Sequence, residues 1–182
     1  MKPRTMEHTL PLPAAAAAPT GWPLRLLGAL DRLVTGALLA AVAAMVTVVS
    51  AQVALRYGLN QSIDWADEIG RLAFVWSIFL AIPLGVRKGA HIGIDLLVDK
   101  LPAAVAGGLR RFAAAASGTM LAAIAWAAVR VCIEQWDELM STVDYSVGWF
   151  IVPVAIGAAH SALHLLHIAV AGPPEREVGG AE

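Results

Sequence analysis

Charged residues and cysteine are scarce in this chain of 182 residues. Only 15% of its residues are charged, whereas 58% are hydrophobic, and the mean hydropathy is +0.68. This balance is too apolar for an ordinary soluble domain, so it predicts a protein whose solvent is the lipid bilayer. The formal net charge of -1 offers no electrostatic basis for binding nucleic acid. The single cysteine, Cys132, excludes an intrachain disulfide and a thiolate metal cage.

Motifs that carry catalytic chemistry are also missing from the sequence. The acidic pair Asp67 and Glu68 has no nucleophile or metal-binding cluster beside it, as a catalytic site would require. We therefore expect that the chain is not an enzyme and that it holds neither a cofactor nor a metal ion of its own.

What the sequence does contain is four apolar stretches of membrane-spanning length. A bilayer core about 30 Å thick needs roughly 20 apolar residues in a helix, because lipid offers no partner to a free backbone group. The predicted spans are residues 33–55, 65–86, 112–129 and 147–170. Small residues in the first and third spans, Gly36 and Gly118 among them, permit close helix packing.

The predicted fold is an all-α membrane protein with three parts. A disordered tail at 1–23 precedes a four-helix transmembrane domain at 24–171, and a flexible tail follows at 172–182.

The connection between the second and third spans has its own pattern. His91, Asp95 and Asp99 recur every four residues, which predicts a short amphipathic helix at 91–101 lying on the cytoplasmic surface. These three polar residues resemble a metal-binding set, but an exposed helix face explains them more simply. Residues from Ala103 onward are expected to continue directly into the third helix.

Basic residues are distributed unequally between the two sides of the predicted membrane domain. Ten of the 13 lysine and arginine residues lie in the tails, the middle connection and the adjoining helix ends, against Arg56, Arg71 and Arg130 on the other side. The positive-inside rule therefore predicts that both termini are cytoplasmic.

The start of the second span carries candidate contact residues. Glu68 and Arg71 are spaced i, i+3, next to Trp65 at the predicted boundary of the membrane. The segment is either a solvated interfacial anchor or one half of an interhelical pair, in which Glu68 meets Arg56 at the end of the first span.

Three histidines share one face of the fourth span. His160, His164 and His167 are spaced i, i+4, i+7. Haem ligation normally needs histidines that face each other across two helices, and the other three predicted spans contain none. The preferred interpretation is hydrogen bonding between helices, or an interfacial position near the cytoplasmic end for His164 and His167. A haem- or quinone-linked membrane anchor remains the alternative function.

Three motifs in order resemble one known family. They are Gln52-Val-Ala-Leu-Arg56-Tyr57, Trp65-Ala-Asp-Glu68-Ile-Gly-Arg71-Leu-Ala-Phe-Val-Trp76 and Arg87-Lys-Gly89-Ala-His91-Ile-Gly-Ile-Asp95. With this spacing, over about residues 30–170, the chain resembles the small, DctQ-type membrane subunit of tripartite ATP-independent periplasmic (TRAP) transporters.

The resemblance implies a multi-pass protein of the bacterial inner membrane that works in a complex. Its expected partners are membrane lipid, a large permease that carries the solute and sodium sites, and a periplasmic solute-binding protein that delivers an organic anion such as a carboxylate. The small subunit is expected to act as a scaffold for the permease. Candidate structural or partner-contact residues are Arg56, Trp65, Glu68, Arg71, Arg87, Gly89, His91 and Asp95.

Overall fold

The computed structural model of the protein describes residues 22–87 and 103–171. The α-helices are α1 (Trp22–Gly58), α2 (Ala66–Arg87), α3 (Ala103–Glu134) and α4 (Val152–Ala171), and a 3-10 turn at Val147–Phe150 leads into α4. Four segments built on these helices are long and apolar enough to cross a membrane. The prediction of an all-α protein with four spans is confirmed. The predicted surface helix at 91–101, with Gly89, His91 and Asp95, lies outside the described residues.

The four helices fall into two length classes. α1 has 37 residues and α3 has 32. At about 1.5 Å per residue they are roughly 55 and 48 Å long, well beyond a bilayer core of about 30 Å. α2 has 22 residues and α4 has 20, which match that core closely. The start of α3 at Ala103 confirms the expected continuation into the third span.

The helices pack as a row in the order α1, α2, α4, α3. α1 packs on α2, α2 on α4, and α4 on α3. Within the described residues, the backbone of α1 does not come within contact distance of α3 or α4, nor does that of α2 contact α3. The long helices therefore stand at the two ends of the row, with the two short ones between them.

Glycines mark the closest helix contacts. A Cβ atom added to Gly157 of α4 would lie 2.2 Å from the carbonyl oxygen of Phe79 in α2. A Cβ atom on Gly118 of α3 would lie 3.3 Å from Leu165 in α4. The backbone of α2 thus lies directly against Gly157. Only glycine permits this distance, because the obstructing atom belongs to the backbone and no side chain can move to make room. The largest side chains that are fully buried in the row belong to Leu80, Leu165, Pro83 and Pro153.

Candidate functional site

Polar side chains join the helices on both sides of the membrane domain, where the helices begin and end. One group lies where α1 ends and α2 begins, and we call Glu68 with its partners Ser141 and Thr142 the Glu68 clamp. The other lies where α1 begins and α2 ends, and we call Asp31, Arg87, His160 and His164 the Asp31 cluster.

The Glu68 clamp ties the first turn of α2 to the loop between α3 and α4. Oε1 of Glu68 accepts a hydrogen bond from the backbone N–H of Ser141 at 3.0 Å. Oε2 accepts one from the N–H of Thr142 at 2.8 Å, and a second from the Thr142 hydroxyl. Charge-assisted bonds of this kind are stronger than neutral ones. Both oxygens of this buried carboxylate are therefore satisfied by loop residues that lie 73 and 74 positions further along the chain.

The loop that Glu68 holds is itself folded back on its own backbone. The N–H of Met140 donates to the carbonyl of Tyr145, and the N–H of Val147 donates to that of Glu138, each at 2.8 Å. This closure leaves the amides of Ser141 and Thr142 at the tip, where they point to an acceptor. Met140, which precedes them, is buried.

The predicted pair between Arg56 and Glu68 is wrong. Glu68 bonds to the loop amides, and in the described part of the chain Arg56 is exposed and takes part in no ion pair. Backbone donors satisfy a buried carboxylate at short range, whereas Arg56 keeps its charge in solvent. Trp65 and Arg71 are also exposed.

A second polar side chain closes the turn between α1 and α2. Oε1 of the buried Gln52 accepts from the N–H of Ile63 at 3.0 Å, and its amide nitrogen lies 3.3 Å from the Ser62 hydroxyl. Asn60 adopts a φ of 53° in this turn. Asparagine tolerates the left-handed conformation that commonly ends a helix. The turn is thus fixed by side chains from both of its flanks.

Tryptophan rings join α2, the loop that follows α3 and the 3-10 turn that leads into α4. Trp149 lies 6.1 Å from Trp76 and 6.2 Å from Trp136 between ring centroids. The indole N–H of Trp76 donates to the Trp149 carbonyl at 3.0 Å. These rings belong to three separate elements, so they join those elements on the side of the membrane domain where the Glu68 clamp lies.

Replacement of Glu68 by glutamine is expected to lower the midpoint of thermal unfolding of the purified chain. The carboxylate accepts from three donors, but a glutamine amide turns one of its two oxygens into an NH2 group that would face another donor. The matched control is Asp67→Asn, because Asp67 is exposed beside it. Equal unfolding midpoints for the two variants would show that the clamp does not stabilise the loop.

The Asp31 cluster joins three helices on the opposite side of the membrane domain. Oδ2 of Asp31 lies 3.1 Å from a guanidinium nitrogen of Arg87 at the end of α2. Oδ1 lies 2.9 Å from Nε2 of His160 and 2.9 Å from Nε2 of His164, both in α4. The two Nε2 atoms are 3.1 Å apart. Asp31 is 3% exposed and His160 is 2% exposed, so one carboxylate organises a buried polar contact between α1, α2 and α4.

Asp31 is the residue that sequence reasoning missed. The first span was expected to begin at residue 33, which leaves Asp31 outside that span, but α1 begins at Trp22 and carries Asp31 in its interior. The available signal was an acidic residue directly before an uncharged span, since a charge beside apolar surroundings needs a partner. The histidine spacing of the fourth span supplied that partner.

The predicted histidine face is confirmed in part. His160 and His164 make the expected contacts between helices, whereas His167 is half-buried and outside the cluster. Their Nε2 atoms lie on one helix and 3.1 Å apart, which leaves no space for a porphyrin between them. The geometry gives no support to the haem-bearing alternative. The three ligand atoms of the cluster are, however, close enough together to hold a metal ion.

Comparisons with known proteins agree on one family. The model of the DctQ component of tripartite ATP-independent periplasmic transporters matches residues 45–172. The C4-dicarboxylate TRAP transporter small permease protein DctQ of Vibrio cholerae is 37% identical over 60 residues, which is 33% of this chain and 26% of that protein.

Two further relatives show similar partial matches. The sialic acid TRAP transporter small permease protein SiaQ of Vibrio cholerae is 30% identical over 60 residues, covering 33% of this chain and 35% of that protein. The DctQ protein of a Pseudomonas aeruginosa C4-dicarboxylate transporter is 42% identical over 40 residues, covering 22% of this chain and 19% of that protein. Each alignment thus covers about a third or less of the relative's length.

Proposed function

The chain belongs to the DctQ component family of tripartite ATP-independent periplasmic transporters, and on this premise we propose that it is a small permease subunit that serves as the fixed scaffold of a larger permease. A carrier whose moving part rocks or slides in the membrane needs an element that stays in place.

The observation that supports the scaffold proposal is that polar contacts join the helices on both sides of the membrane domain. The Glu68 clamp fastens α2 to the loop between α3 and α4. The Asp31 cluster fastens α1 to α2 and α4. The clamp and the cluster lie on opposite sides of the membrane domain. Together they resist sliding of the helices past one another, because a shift along the membrane normal would break one or both. This arrangement supports a rigid platform.

The two outer helices of the row, α1 and α3, provide surface for lipid and for a partner. In the most apolar stretch of α1 only 6% of residues are buried, against 33% in the fourth span. Large side chains such as Leu33 and Leu39 on α1, and Phe112 and Met120 on α3, are more than 60% exposed. Apolar surface of this extent suits contact with lipid and with the helices of a larger permease.

The transported solute is proposed to be an organic anion such as a carboxylate. The names of two relatives specify C4-dicarboxylate and sialic acid, both of which are carboxylates. On this proposal a periplasmic binding protein delivers the solute, and the large permease binds both the solute and the sodium ions that drive uptake. The role of the small subunit is then mechanical.

Both termini are proposed to be cytoplasmic in the bacterial inner membrane, on the unequal division of basic residues. Reporter fusions after Asn60 and after Asp144 are expected to show periplasmic activity. A cytoplasmic signal at Asn60 would reverse the orientation and place the Glu68 clamp inside the cell.

The scaffold proposal is tested by omission. Liposomes that contain the large permease without this chain are expected to lose solute uptake, and addition of the chain is expected to restore it.

A further inference from the structure

The Asp31 cluster brings three potential metal ligands to one point. They are Oδ1 of Asp31, Nε2 of His160 and Nε2 of His164. We propose that these atoms bind a divalent transition metal ion of the Zn2+ class, and that the ion fastens α1 to α4. This site goes beyond the scaffold function, and its existence does not depend on that function.

The three atoms form a nearly equilateral triangle. Its sides are 2.9 Å from Oδ1 to His160, 2.9 Å from Oδ1 to His164 and 3.1 Å between the two nitrogens. The side chains of Asp31 and His160 are 5% and 2% exposed, and that of His164 is 11% exposed. Within the described residues Nδ1 of His160 has no hydrogen-bond partner, so this ring makes its polar contacts at Nε2 alone.

Hydrogen bonds can occupy at most two of the three sides of this triangle. A hydrogen bond needs one proton on the line between two atoms, and each Nε2 carries at most one. If both nitrogens donate to Oδ1, that oxygen accepts both bonds, and the third side of the triangle, between the two nitrogens, holds no hydrogen bond. If only one is protonated at Nε2, the lone pair of the other faces the carboxylate oxygen at 2.9 Å. A cation between the three atoms satisfies all of them, because each then directs a lone pair to it.

The size of the triangle suits a transition metal. Bonds of about 2.0–2.1 Å that meet at right angles separate their ligand atoms by about 2.9 Å, and tetrahedral bonds of that length separate them by about 3.3 Å. The observed sides lie at the octahedral value and within a few tenths of an ångström of the tetrahedral one. Two imidazoles with one carboxylate favour Zn2+, Co2+, Ni2+ or Fe2+ over Mg2+ and Ca2+, which prefer oxygen ligands.

Arg87 supplies one part of the surroundings expected of such a site, the partner of the carboxylate. It bonds to Oδ2, the carboxylate oxygen that faces away from the histidines, at 3.1 Å. A second partner of this kind fixes the orientation of a metal-binding carboxylate. The side chain of Arg87 is 59% exposed, so the Oδ2 side of the cluster reaches the surface of the chain. With three protein ligands, at least one coordination position is left for water.

An ion here would change how α1 is held. The backbone of α1 packs on α2 alone among the described helices, so the Asp31 side chain is its bridge to α4. Coordination would replace weak polar contacts by metal–ligand bonds, and it would stabilise the folded chain by mass action because the unfolded chain has no preformed site.

The test uses the full chain, purified without a histidine tag, stripped with a chelator and titrated with Co2+ and then Zn2+. We expect one ion per chain, a visible Co2+ absorption band and a rise in the unfolding midpoint of roughly 5 °C at saturating Zn2+. The variants are Asp31→Asn, His164→Gln and His164→Cys, with His167→Gln as the matched control on the same helix.

Asp31→Asn and His164→Gln are expected to lose the Co2+ band and the thermal shift, whereas His167→Gln keeps both. His164→Cys is expected to bind Co2+ and to add a thiolate-to-cobalt charge-transfer band, which distinguishes ligation from a general effect on folding. No binding by the wild-type chain would overturn the proposal, as would binding that survives in the Asp31→Asn/His164→Gln double variant. Because no transport is measured, neither result depends on the scaffold function.

Discussion

Substitution of Gly157 by alanine is expected to separate α2 from α4 and to destabilise the chain by about 1–3 kcal/mol or more. The added methyl group would lie 2.2 Å from the carbonyl oxygen of Phe79, and 3.0 Å from its carbonyl carbon. Both atoms belong to the α2 backbone, so no side-chain rotation relieves the clash. Thermal unfolding in detergent, followed by tryptophan fluorescence, measures the effect, since Trp76 and Trp149 report on the contact between α2 and the 3-10 turn that leads into α4.

The matched control is Gly85→Ala in α2. An added Cβ at Gly85 meets nothing within 4 Å. Alanine is the better helix former by about 1 kcal/mol, so this change is expected to be neutral or stabilising. A Gly157 variant as stable as the Gly85 variant would show that the close α2–α4 contact does not determine the packing of the row.

Substitution of Asp31 by alanine is expected to destabilise the chain by about 3–5 kcal/mol, the range found when one member of a buried charged pair is removed. The change takes away the partner of three other side chains, namely Arg87, His160 and His164. Two of these are buried histidines whose Nε2 atoms would then face each other alone. Chemical or thermal unfolding of the purified chain measures the loss.

Arg87→Gln provides the comparison for Asp31→Ala. The Arg87 side chain is 59% exposed, whereas that of Asp31 is 5% exposed. A solvent-screened partner contributes only about 0–1 kcal/mol, so the Arg87 variant is expected to be much milder. Equal losses in the two variants would contradict the view that the buried histidine side of the cluster carries most of its stabilisation.

The helices themselves could be predicted from the sequence, because hydrophobic length is a strong local signal. Four apolar runs gave four spans, and the absence of any break after Ala103 gave the long α3. The order of the helices in the row could not be predicted in the same way. Gly36 and Gly118 look alike as small residues in apolar spans, yet an added Cβ meets Leu165 at Gly118 and nothing at Gly36. Which small residue is used depends on the partner helix.

The Glu68 clamp shows what kind of contact stays hidden in a sequence. Glu68 was correctly singled out as a charge that needs a partner, but Arg56 was the expected one. The true partners are the backbone amides of Ser141 and Thr142. Every residue except proline has an N–H, so side-chain complementarity gives no hint of such a pairing. Only the folded loop brings those two amides together.

The Asp31 cluster was half visible in the sequence. The i, i+4 spacing of His160 and His164 correctly placed both rings on one face and predicted contacts to another helix. Asp31 was excluded because the span was started after the nearby Arg32, at the first long uncharged run. Helices of membrane proteins extend beyond the hydrocarbon core, and α1 does so by many residues. A charge near the end of a span therefore belongs to the helix and can be buried by its neighbours.

Solute uptake by reconstituted liposomes tests the scaffold function most directly. Three preparations are compared, containing this chain alone, its large permease alone, or both, each with a sodium gradient and the purified binding protein. Uptake is expected only when both membrane proteins are present, and it is expected to fall when the Gly157→Ala chain replaces the wild type but not when the Gly85→Ala chain does. Uptake by this chain alone, or full uptake by the permease without it, would contradict the account.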